Sequence, residues 1–420
     1  MALADLGAVN ARGVEARIAE ASGLARAIQL DVVEAEAFRV RTPRAQTLLG
    51  TGQVEKIAAL VAKHEAAVVV IDGVGLSPIQ QRNLETELKA KVIDRTGLIL
   101  EIFGERATTR EGALQVELAH LTYQQGRLVR SWTHLERQRG GFGFLGGPGE
   151  TQIEADRRLI RDRIARLTRD LEDAKRTRGL HRRRRQEAPF PVLALVGYTN
   201  AGKSTLFNRL TGATVLAKDM LFATLDPTMR AIKLPGFERA ILSDTVGFVS
   251  DLPTQLVAAF RATLEEVLEA DVIIHVRDIA HPDTEAERED VLRVLASLGV
   301  GEGEGAAPII EAWNKADLLP VEDHTAVAEA AARRDDVALV SAINGEGIDH
   351  LLREVTALLQ RGTRVWDYSL GAIEGSLTAW LYAHGEVVAR ADGEDGGAKI
   401  SVRLSEPARA RFEKLRASEG

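Results

Sequence analysis

The stretch "PVLALVGYTNAGKSTLFNRL", residues 191–210, decides the fold of this chain. Its apolar run has the length and composition of a buried strand, and a helical pattern follows the glycines. Between strand and helix, residues 197–204 fit G-x-x-x-x-G-K-S. In that context backbone N–H groups can approach phosphates, Lys203 can reach the β and γ oxygens, and the Ser204 hydroxyl can bind Mg²⁺. The stretch predicts a phosphate-binding P-loop.

A second motif identifies the base. The segment "PIIEAWNKADLL" ends an apolar strand with Asn314, Lys315 and Asp317, which form N-K-x-D. A carboxylate there can accept two hydrogen bonds from guanine, whereas adenine offers no matching pair of donors. Asn314 would join this loop to the P-loop, and the Lys315 stem would lie over the base. In "VALVSAINGEG", Ser341 and Ala342 follow another strand, and the Ala342 amide can reach the guanine O6.

Two further segments predict a switch. In "RAILSDTVGF", Asp244 and Gly247 form D-x-x-G, in which the aspartate holds Mg²⁺ through water and the glycine amide senses the γ-phosphate. Upstream, "LFATLDPT" offers Thr224 to close over Mg²⁺, with Thr228 as a weaker candidate. Together the motifs predict a GTP-hydrolysing domain.

The expected site residues follow from these motifs. Lys203, Thr224, Gly247 and Asn200 are the candidates for catalysis, and Ser204, Thr224 and Asp244 are those for Mg²⁺. The expected nucleotide contacts are Gly197, Tyr198, Thr199, Asn200, Ala201, Gly202, Lys203, Ser204, Thr205, Phe222, Ala223, Thr224, Asp244, Thr245, Val246, Gly247, Asn314, Lys315, Ala316, Asp317, Ser341, Ala342 and Ile343.

The residue after D-x-x-G affects the expected rate of GTP hydrolysis. Many GTPases place a glutamine there to orient the attacking water, but this chain has Phe248, which can make no such hydrogen bond. We therefore expect slow intrinsic hydrolysis. Asn200 stands where related GTPases hold a K⁺ ion, so activation by K⁺ is a hypothesis.

Composition sets the class of protein. The 420 residues are 45% hydrophobic and 27% charged, which is typical of a globular chain of two to four domains. With no cysteine, the chain has neither disulfides nor thiolate metal sites. No signal peptide or apolar run of spanning length is visible, so we expect a soluble, cytoplasmic monomer without stable membrane insertion, a membrane-peripheral fraction being left open.

The net charge of −7 conceals a basic segment. Residues 127–185 contain 17 Lys and Arg against 8 Asp and Glu. This segment is either a solvated helical face or an arm that binds a polyanion. A heptad spacing runs from residue 114 into this segment, and compatible spacing returns after a glycine-rich stretch, which predicts an antiparallel hairpin of two helices. The spaced residues are Leu114, Leu118, Leu121, Gln125, Leu128, Trp132 and Leu135, then Ile153, Ile160, Ile164, Leu167 and Leu171.

The glycine-rich stretch "RGGFGFLGGPGETQ" also matches G-x-G-x-x-G, the dinucleotide-binding pattern. A heptad helix precedes it instead of a strand, so the match is a coincidence. We predict that residues 139–149 form the tip of the hairpin. The candidate RNA contacts are Phe142 and Phe144, whose rings can stack on bases, and Arg182, Arg183, Arg184 and Arg185.

The remaining sequence predicts two smaller domains. Runs such as "AVVVID" alternate with helical stretches such as "SPIQQRNLETELKA", the pattern of an α/β domain, in which Asp94 and Arg95 are more readily structural than catalytic. Near the end, residues 376–404 alternate like a short antiparallel sheet. The expected fold is thus a multidomain α/β protein: an α/β domain (1–110), a helical hairpin (111–187), a P-loop GTPase domain of the Ras-like kind (188–361) and an α+β domain (362–420).

Beyond the nucleotide motifs, the chain resembles the HflX family of GTPases. The resemblance rests on "LLGTGQVEKI", "LSPIQQRNLE", "VIDRTGLILEIF", "QVELAHLTY", "GGPGETQIEADRR" and "FRATLEE". Gly146 departs from the arginine that often precedes "GPGET", and Met229 from a frequent small polar residue. The resemblance implies GTP and GDP as ligands, Mg²⁺ as cofactor, and binding to the large ribosomal subunit or whole ribosome. It also implies a hairpin loop near the peptidyl-transferase centre, and dissociation of stalled or idle ribosomes under stress.

Other functions stay open at this point. The chain could be a GTPase of ribosome assembly, whereas tRNA modification would require a C-terminal cysteine that is absent. It could instead be a nucleotide-dependent module whose hairpin binds a protein and no RNA. ATP use by the N-terminal domain is a further possibility in the family, but no second phosphate-binding motif is present to carry it.

Overall fold

The predicted fold class is confirmed by three separate sheets with helices packed around them. The predicted domain boundaries stay a prediction. The computed structural model describes residues 1–5, 12–73, 75–138, 157–174, 190–213, 222, 228–250, 266–300, 307–361, 363–371, 374–393, 396–405, 409 and 412–416. Within these ranges, every helix is too short or too polar to cross a bilayer.

The N-terminal part of the chain is a four-stranded parallel sheet in the order β2-β1-β3-β4. The third helix, α3, starts with a capping box, in which the Ser77 and Gln80 side chains each accept a hydrogen bond from the other's backbone N–H (3.2 and 2.9 Å). That pair explains why the helix begins after "LS". The elements are β1 (Ala2–Asp5), α1 (Val14–Ala27), β2 (Glu36–Arg39), α2 (Thr51–His64), β3 (Val68–Asp72), α3 (Pro78–Leu88), β4 (Lys91–Asp94) and α4 (Arg95–Arg106).

Two helices follow where the hairpin is expected. Helix α5 (Arg110–Gln138) has 29 residues and is therefore about 44 Å long, and a second helix, α6, covers 157–174. A salt bridge of 2.7 Å between Glu117 and Arg163 joins them. On α6 the predicted seam is the least exposed face, with Leu167 and Leu171 buried. On α5, however, Val116 and Ala119 are buried, while Leu114, Leu118 and Leu121 are only half-buried.

The central sheet has six strands in the order β10-β9-β8-β5-β7-β6, and β6 alone among them runs antiparallel to its neighbour. The parallel strands all end at one edge, so the loops after them meet there. The elements are β5 (Val192–Gly197), α7 (Lys203–Thr211), β6 (Thr228–Leu234), β7 (Phe237–Asp244), β8 (Val272–Asp278), α8 (Thr284–Ser297), β9 (Ile309–Asn314), α9 (Val321–Ala332), β10 (Val337–Leu339) and α10 (Ile348–Gln360).

The last part is a three-stranded antiparallel sheet in the order β11-β13-β12. The prediction of a sheet over 376–404 is wrong for its first residues, which form a helix. Leu377 and Leu381, four residues apart, are both buried on one face of that helix, and this spacing also fits a strand of alternating residues. The elements are β11 (Thr363–Leu370), α11 (Gly375–His384), β12 (Glu386–Asp392) and β13 (Ala398–Ser405).

The N-terminal sheet has a core of its own on the side of α2 and α3, and its other side joins the hydrophobic core of the central sheet. The cluster that fills the central sheet also contains residues of α1, α4 and α5. At its centre the rings of Phe103, on α4, and Phe222 pack edge to face with centroids 4.7 Å apart, and both are fully buried. The N-terminal part is therefore bound to the central sheet by apolar packing.

A buried ion network stiffens the central sheet. The Glu311 carboxylate on β9 accepts hydrogen bonds from Arg277 (2.6 Å), Arg288 (2.6 Å) and the Trp313 indole (2.9 Å). Burial favours a raised pKa for Glu311, but these donors outweigh it and hold the pKa at about 2. The carboxylate is therefore charged at neutral pH.

We expect Glu311→Gln to lower the free energy of unfolding at neutral pH by about 3 kcal/mol, because Arg277 would lose its buried partner. The folded pKa lies below the usual 4.5, so this stabilisation is present above pH 4.5 and fades as the pH falls towards 2. Denaturant titrations of both proteins at several pH values measure the difference. Glu329→Gln, which removes an exposed pair with Arg333, is the control, and an equal effect of the two changes would contradict the prediction.

Candidate nucleotide-binding site

The predicted P-loop follows β5 and is shaped by close backbone contacts. Gly197 has φ 152° and Gly202 has φ 94°. A Cβ atom at Gly197 would lie 2.2 Å from the Val276 carbonyl oxygen, and one at Gly202 would lie 2.2 Å from Asn314 Nδ2. Asn200 also has a positive φ of 62°, which asparagine tolerates better than most residues. The glycines of the motif are therefore required by space as well as by conformation.

Lys203 lies at the centre of this loop. Its ammonium group donates hydrogen bonds to the carbonyl oxygens of Gly197 (3.0 Å) and Tyr198 (2.7 Å). Burial lowers the pKa of Lys203 to about 8, against the opposing effect of Asp244. A phosphate bound beside this group would favour its charged form, so the loop is suited to an anion.

The residues predicted for Mg²⁺ fit that ion. The Ser204 hydroxyl donates to Asp244 Oδ2 at 2.9 Å, and Asp244 is fully buried at the end of β7. A hydroxyl and a carboxylate beside a phosphate site are the hard oxygen donors that Mg²⁺ prefers. Ser204 would bind the ion directly and Asp244 through water, and the ion would neutralise charge on the phosphates. Thr224 lies outside the described residues.

The D-x-x-G segment runs alongside the P-loop. Phe248 forms a parallel bridge with Tyr198: the Phe248 amide donates to the Gly197 carbonyl (3.1 Å), and the Thr199 amide donates to the Phe248 carbonyl (2.7 Å). A Cβ atom at Gly247 would lie 2.8 Å from Thr199 Cγ2. The Phe248 ring is buried, at 3% exposure. Neighbouring Thr245 and Val246 are buried too, and the Thr245 hydroxyl donates to the Leu195 carbonyl (2.6 Å).

The N-K-x-D loop is tied to the P-loop as the sequence predicts. Asn314 Nδ2 donates to the Ala201 carbonyl (2.8 Å). The Lys315 ammonium pairs with Asp278 Oδ2 (2.7 Å), at the end of β8, and Asp317 Oδ1 accepts from the Ser341 hydroxyl (2.5 Å). These bonds hold the Asp317 carboxylate at the edge where a base would lie. Ala316 is buried beside it, with its amide bonded to Val340.

One predicted donor is used differently. The Ala342 amide, expected to face guanine O6, donates instead to Asn314 Oδ1 (2.9 Å). A contact with O6 would thus require this bond to be shared or released. Arg209 of α7 also holds the loop, donating to the carbonyl oxygens of Ala342 (3.0 Å) and Ile343, and the Ile343 side chain is exposed.

Not every predicted residue joins this group. The Phe222 ring lies in the shared core against Phe103, so its side chain is not placed to contact a nucleotide. Thr205 lies on the first turn of α7. Ala223, Phe142, Phe144 and Arg182, Arg183, Arg184 and Arg185 lie outside the described residues, and their roles stay predictions.

Some residues of the site were missed by sequence reasoning. Arg209, Asp278 and Glu20 each contact a motif residue, Glu20 accepting from the Tyr198 hydroxyl at 2.6 Å. Asp278 ends an apolar strand, which is a usable signal. Glu20 has no such signal, because the contact spans two parts of the chain that only the fold brings together.

Comparison with known proteins covers most of the chain. Four family models match in order: "GTP-binding GTPase N-terminal" over 15–104, "GTP-binding GTPase Middle Region" over 106–185, "50S ribosome-binding GTPase" over 192–315, and "HflX C-terminal domain" over 326–417. The chain is 54% identical over 349 residues to GTPase HflX of Magnetococcus marinus, which covers 83% of this chain and 79% of that protein. It is 44% identical over 365 residues to GTPase HflX of Escherichia coli K12, covering 87% and 84%.

Among solved structures, the chain is similar to a GTP-binding protein from the archaeon Sulfolobus solfataricus in complex with GDP. The two are 24% identical, with a TM-score of 0.45, and the match covers 86% of this chain and 99% of that one.

We expect Asn314→Ala to weaken binding of both GDP and GTP by tenfold or more, because it breaks the two hydrogen bonds that join the Ala201 and Ala342 loops. A titration with fluorescent GDP measures the loss. Asn344→Ala, which changes an exposed asparagine near the same loop, should leave the affinity within about twofold. Unchanged GDP affinity in Asn314→Ala would contradict the expected role of this amide.

Proposed function

The chain belongs to the HflX family of GTPases, and we propose that it is a GTP-controlled switch that binds the large ribosomal subunit or the whole ribosome. We propose further that it acts in the cytoplasm and promotes dissociation and rescue of ribosomes under stress. The family model over residues 192–315, described as a 50S ribosome-binding GTPase, supports the choice of partner. An assembly factor or a protein-binding module is the alternative that the experiments below would reveal.

One observation supports the proposed GTP-controlled switch. The D-x-x-G segment is hydrogen-bonded along the P-loop, so a group bound at Lys203 and the position of Gly247 depend on each other. In the proposed mechanism the Gly247 amide contacts the γ-phosphate, Lys203 and the P-loop amides hold the β and γ oxygens, and Asp317 selects guanine. Hydrolysis removes the γ-phosphate contact and returns the segment to the P-loop.

In this proposal the predicted hairpin, residues 111–187, makes the contact with RNA, and we call it the arm. We propose that α5, with its 29 residues, carries the segment after it away from the central sheet. The basic surplus over 127–185 can neutralise phosphates, which makes binding dependent on salt. Phe142 and Phe144 would stack on unpaired bases at the tip.

The residue after D-x-x-G does not assist GTP hydrolysis at this site. The Phe248 ring is buried and can orient no water, so charge or orientation has to come from elsewhere. The Asn200 side chain is exposed on the P-loop, where its amide oxygen is accessible to a cation. We propose that K⁺ bound there, together with the ribosome, accelerates the reaction.

For K⁺, we expect GTP turnover at fixed Mg²⁺ to be several-fold faster in KCl than in NaCl of equal ionic strength. Asn200→Gly should abolish most of this difference, because glycine keeps the positive φ and removes the amide oxygen. Phosphate release measured in both salts tests this. Equal rates of the unchanged chain in KCl and NaCl would rule out activation by K⁺.

For the ribosome, we expect the protein with a non-hydrolysable GTP analogue to co-sediment with large subunits and to split whole ribosomes, and the GDP form to do so weakly. Replacing residues 140–149 by a short linker, or Phe142 and Phe144 by alanine, should abolish splitting with GTP affinity unchanged. Sucrose-gradient profiles of ribosomes give the readout.

The same gradients, together with a binding assay on purified protein partners, distinguish the alternatives. Equal binding of the GDP and analogue forms would contradict a GTP-controlled switch. Binding only to immature subunits would favour an assembly role. An affinity for a purified protein that is insensitive to salt and needs no RNA would favour the protein-binding module.

A further inference from the structure

A cluster of buried polar side chains joins the N-terminal sheet to Ser250, in the segment after the D-x-x-G motif. Arg95, the first residue of α4, donates to Asp72 (3.2 Å), to Glu20, and to both the carbonyl and the hydroxyl of Ser250 (3.0 Å each). Ser250 follows the D-x-x-G glycine by three residues. Arg95 is only 8% exposed, so it is almost completely shielded from water.

The same cluster reaches the P-loop through one hydroxyl. The Tyr198 hydroxyl donates to Glu20 (2.6 Å) and accepts from the Ser250 amide (2.6 Å) and from Arg12 (2.7 Å). Burial favours a raised pKa for Glu20, but Arg95, the Tyr198 hydroxyl and Arg12 outweigh it and hold the pKa below its usual value. Ser250 therefore has its amide, carbonyl and hydroxyl all fixed by groups from two domains.

We propose that Arg95 is a positioning residue of the GTPase: with Glu20 and Tyr198 it clamps the segment after D-x-x-G against the P-loop and so disfavours GTP relative to GDP. We define this clamp as Glu20, Arg95, Tyr198 and Ser250. The inference rests on the proposed contact between Gly247 and the γ-phosphate.

The direction follows from the space around Gly247. A Cβ atom there would lie 3.1 Å from the Lys203 ammonium and 2.8 Å from Thr199, so the segment already lies against the groups that hold the phosphates. A γ-phosphate between Lys203 and the Gly247 amide has to displace the segment, which means loosening the bonds to Ser250. GDP makes no such demand. Stabilising the clamped state therefore lowers the affinity for GTP selectively.

The clamp is also connected to helix α5, which begins the arm. Asp94, next to Arg95 and the cap of α4, accepts from the Tyr123 hydroxyl of α5 (2.5 Å) and from the Gly97 amide (2.9 Å). A movement of Ser250 thus pulls on the same turn that holds the long helix. This contact gives a physical route by which release of the clamp would reach the proposed RNA-binding arm.

The test is the ratio of two dissociation constants, measured on the free protein with Mg²⁺: that for fluorescent GDP and that for a fluorescent non-hydrolysable GTP analogue. We expect Arg95→Gln to shift the ratio about fivefold or more in favour of the analogue. Tyr198→Phe should shift it in the same direction, because it keeps the ring under Arg12, 4.5 Å from the guanidinium carbon, and removes only the hydroxyl.

Arg17→Gln is the matched control. Arg17 lies on α1 and pairs with Asp5 (3.0 Å) within the N-terminal sheet domain, so its loss removes a half-buried ion pair outside the clamp. We expect a ratio within about twofold of the unchanged chain. If Arg95→Gln does not fold, as judged by circular dichroism and melting, Tyr198→Phe decides the question.

An unchanged ratio in folded Arg95→Gln and Tyr198→Phe, or a shift towards GDP, would overturn the clamp, and so would an equal shift in Arg17→Gln. Because no ribosome enters this measurement, its failure is distinct from that of the proposed function. If the clamp variants behave as expected while ribosome binding is the same with GDP and the analogue, the clamp is supported and the GTP-controlled ribosomal switch is contradicted.

Discussion

The site depends on how closely the P-loop backbone approaches the Asn314 side chain. At Gly202 no side chain fits, because a Cβ atom there would lie 2.2 Å from Asn314 Nδ2. That amide bonds the P-loop at Ala201 and the next loop at Ala342, so three loops from different strands are held by one side chain. The loops proposed to bind phosphate and base are thereby held relative to each other by protein groups, which reduces the ordering cost of binding.

The contact between the N-terminal part of the chain and the central sheet is of a different kind. It combines apolar packing, centred on Phe103 and Phe222, with a small group of buried charges around Glu20 and Arg95. Apolar contacts tolerate small shifts, whereas buried charges need their partners in place. The apolar packing therefore holds the N-terminal part against the central sheet. The buried charges make one arrangement of the segment after Gly247 more favourable than others.

Local patterns were sufficient to predict the P-loop, the N-K-x-D loop and the helix that became α5, because each has its signal within a short window. The link from Asn314 to the P-loop was also predictable, since the motif implies it. The clamp was not: Glu20 and Arg95 are ordinary charged residues, and the sequence favours a structural over a catalytic role for Asp94 and Arg95. Helix α11 was mistaken for a strand because two leucines four residues apart fit both periods.

The shared core has a consequence for the order of folding. The apolar face of α4, with Phe103 at its centre, is synthesised more than a hundred residues before Phe222, the ring that covers it. During translation the N-terminal sheet can form its own strand pairs and be covered by its own helices, yet the outer face of α4 stays bare until the central sheet emerges. Such a face is where a nascent chain is exposed to wrong association, and the exposure ends only when the two parts of the chain dock.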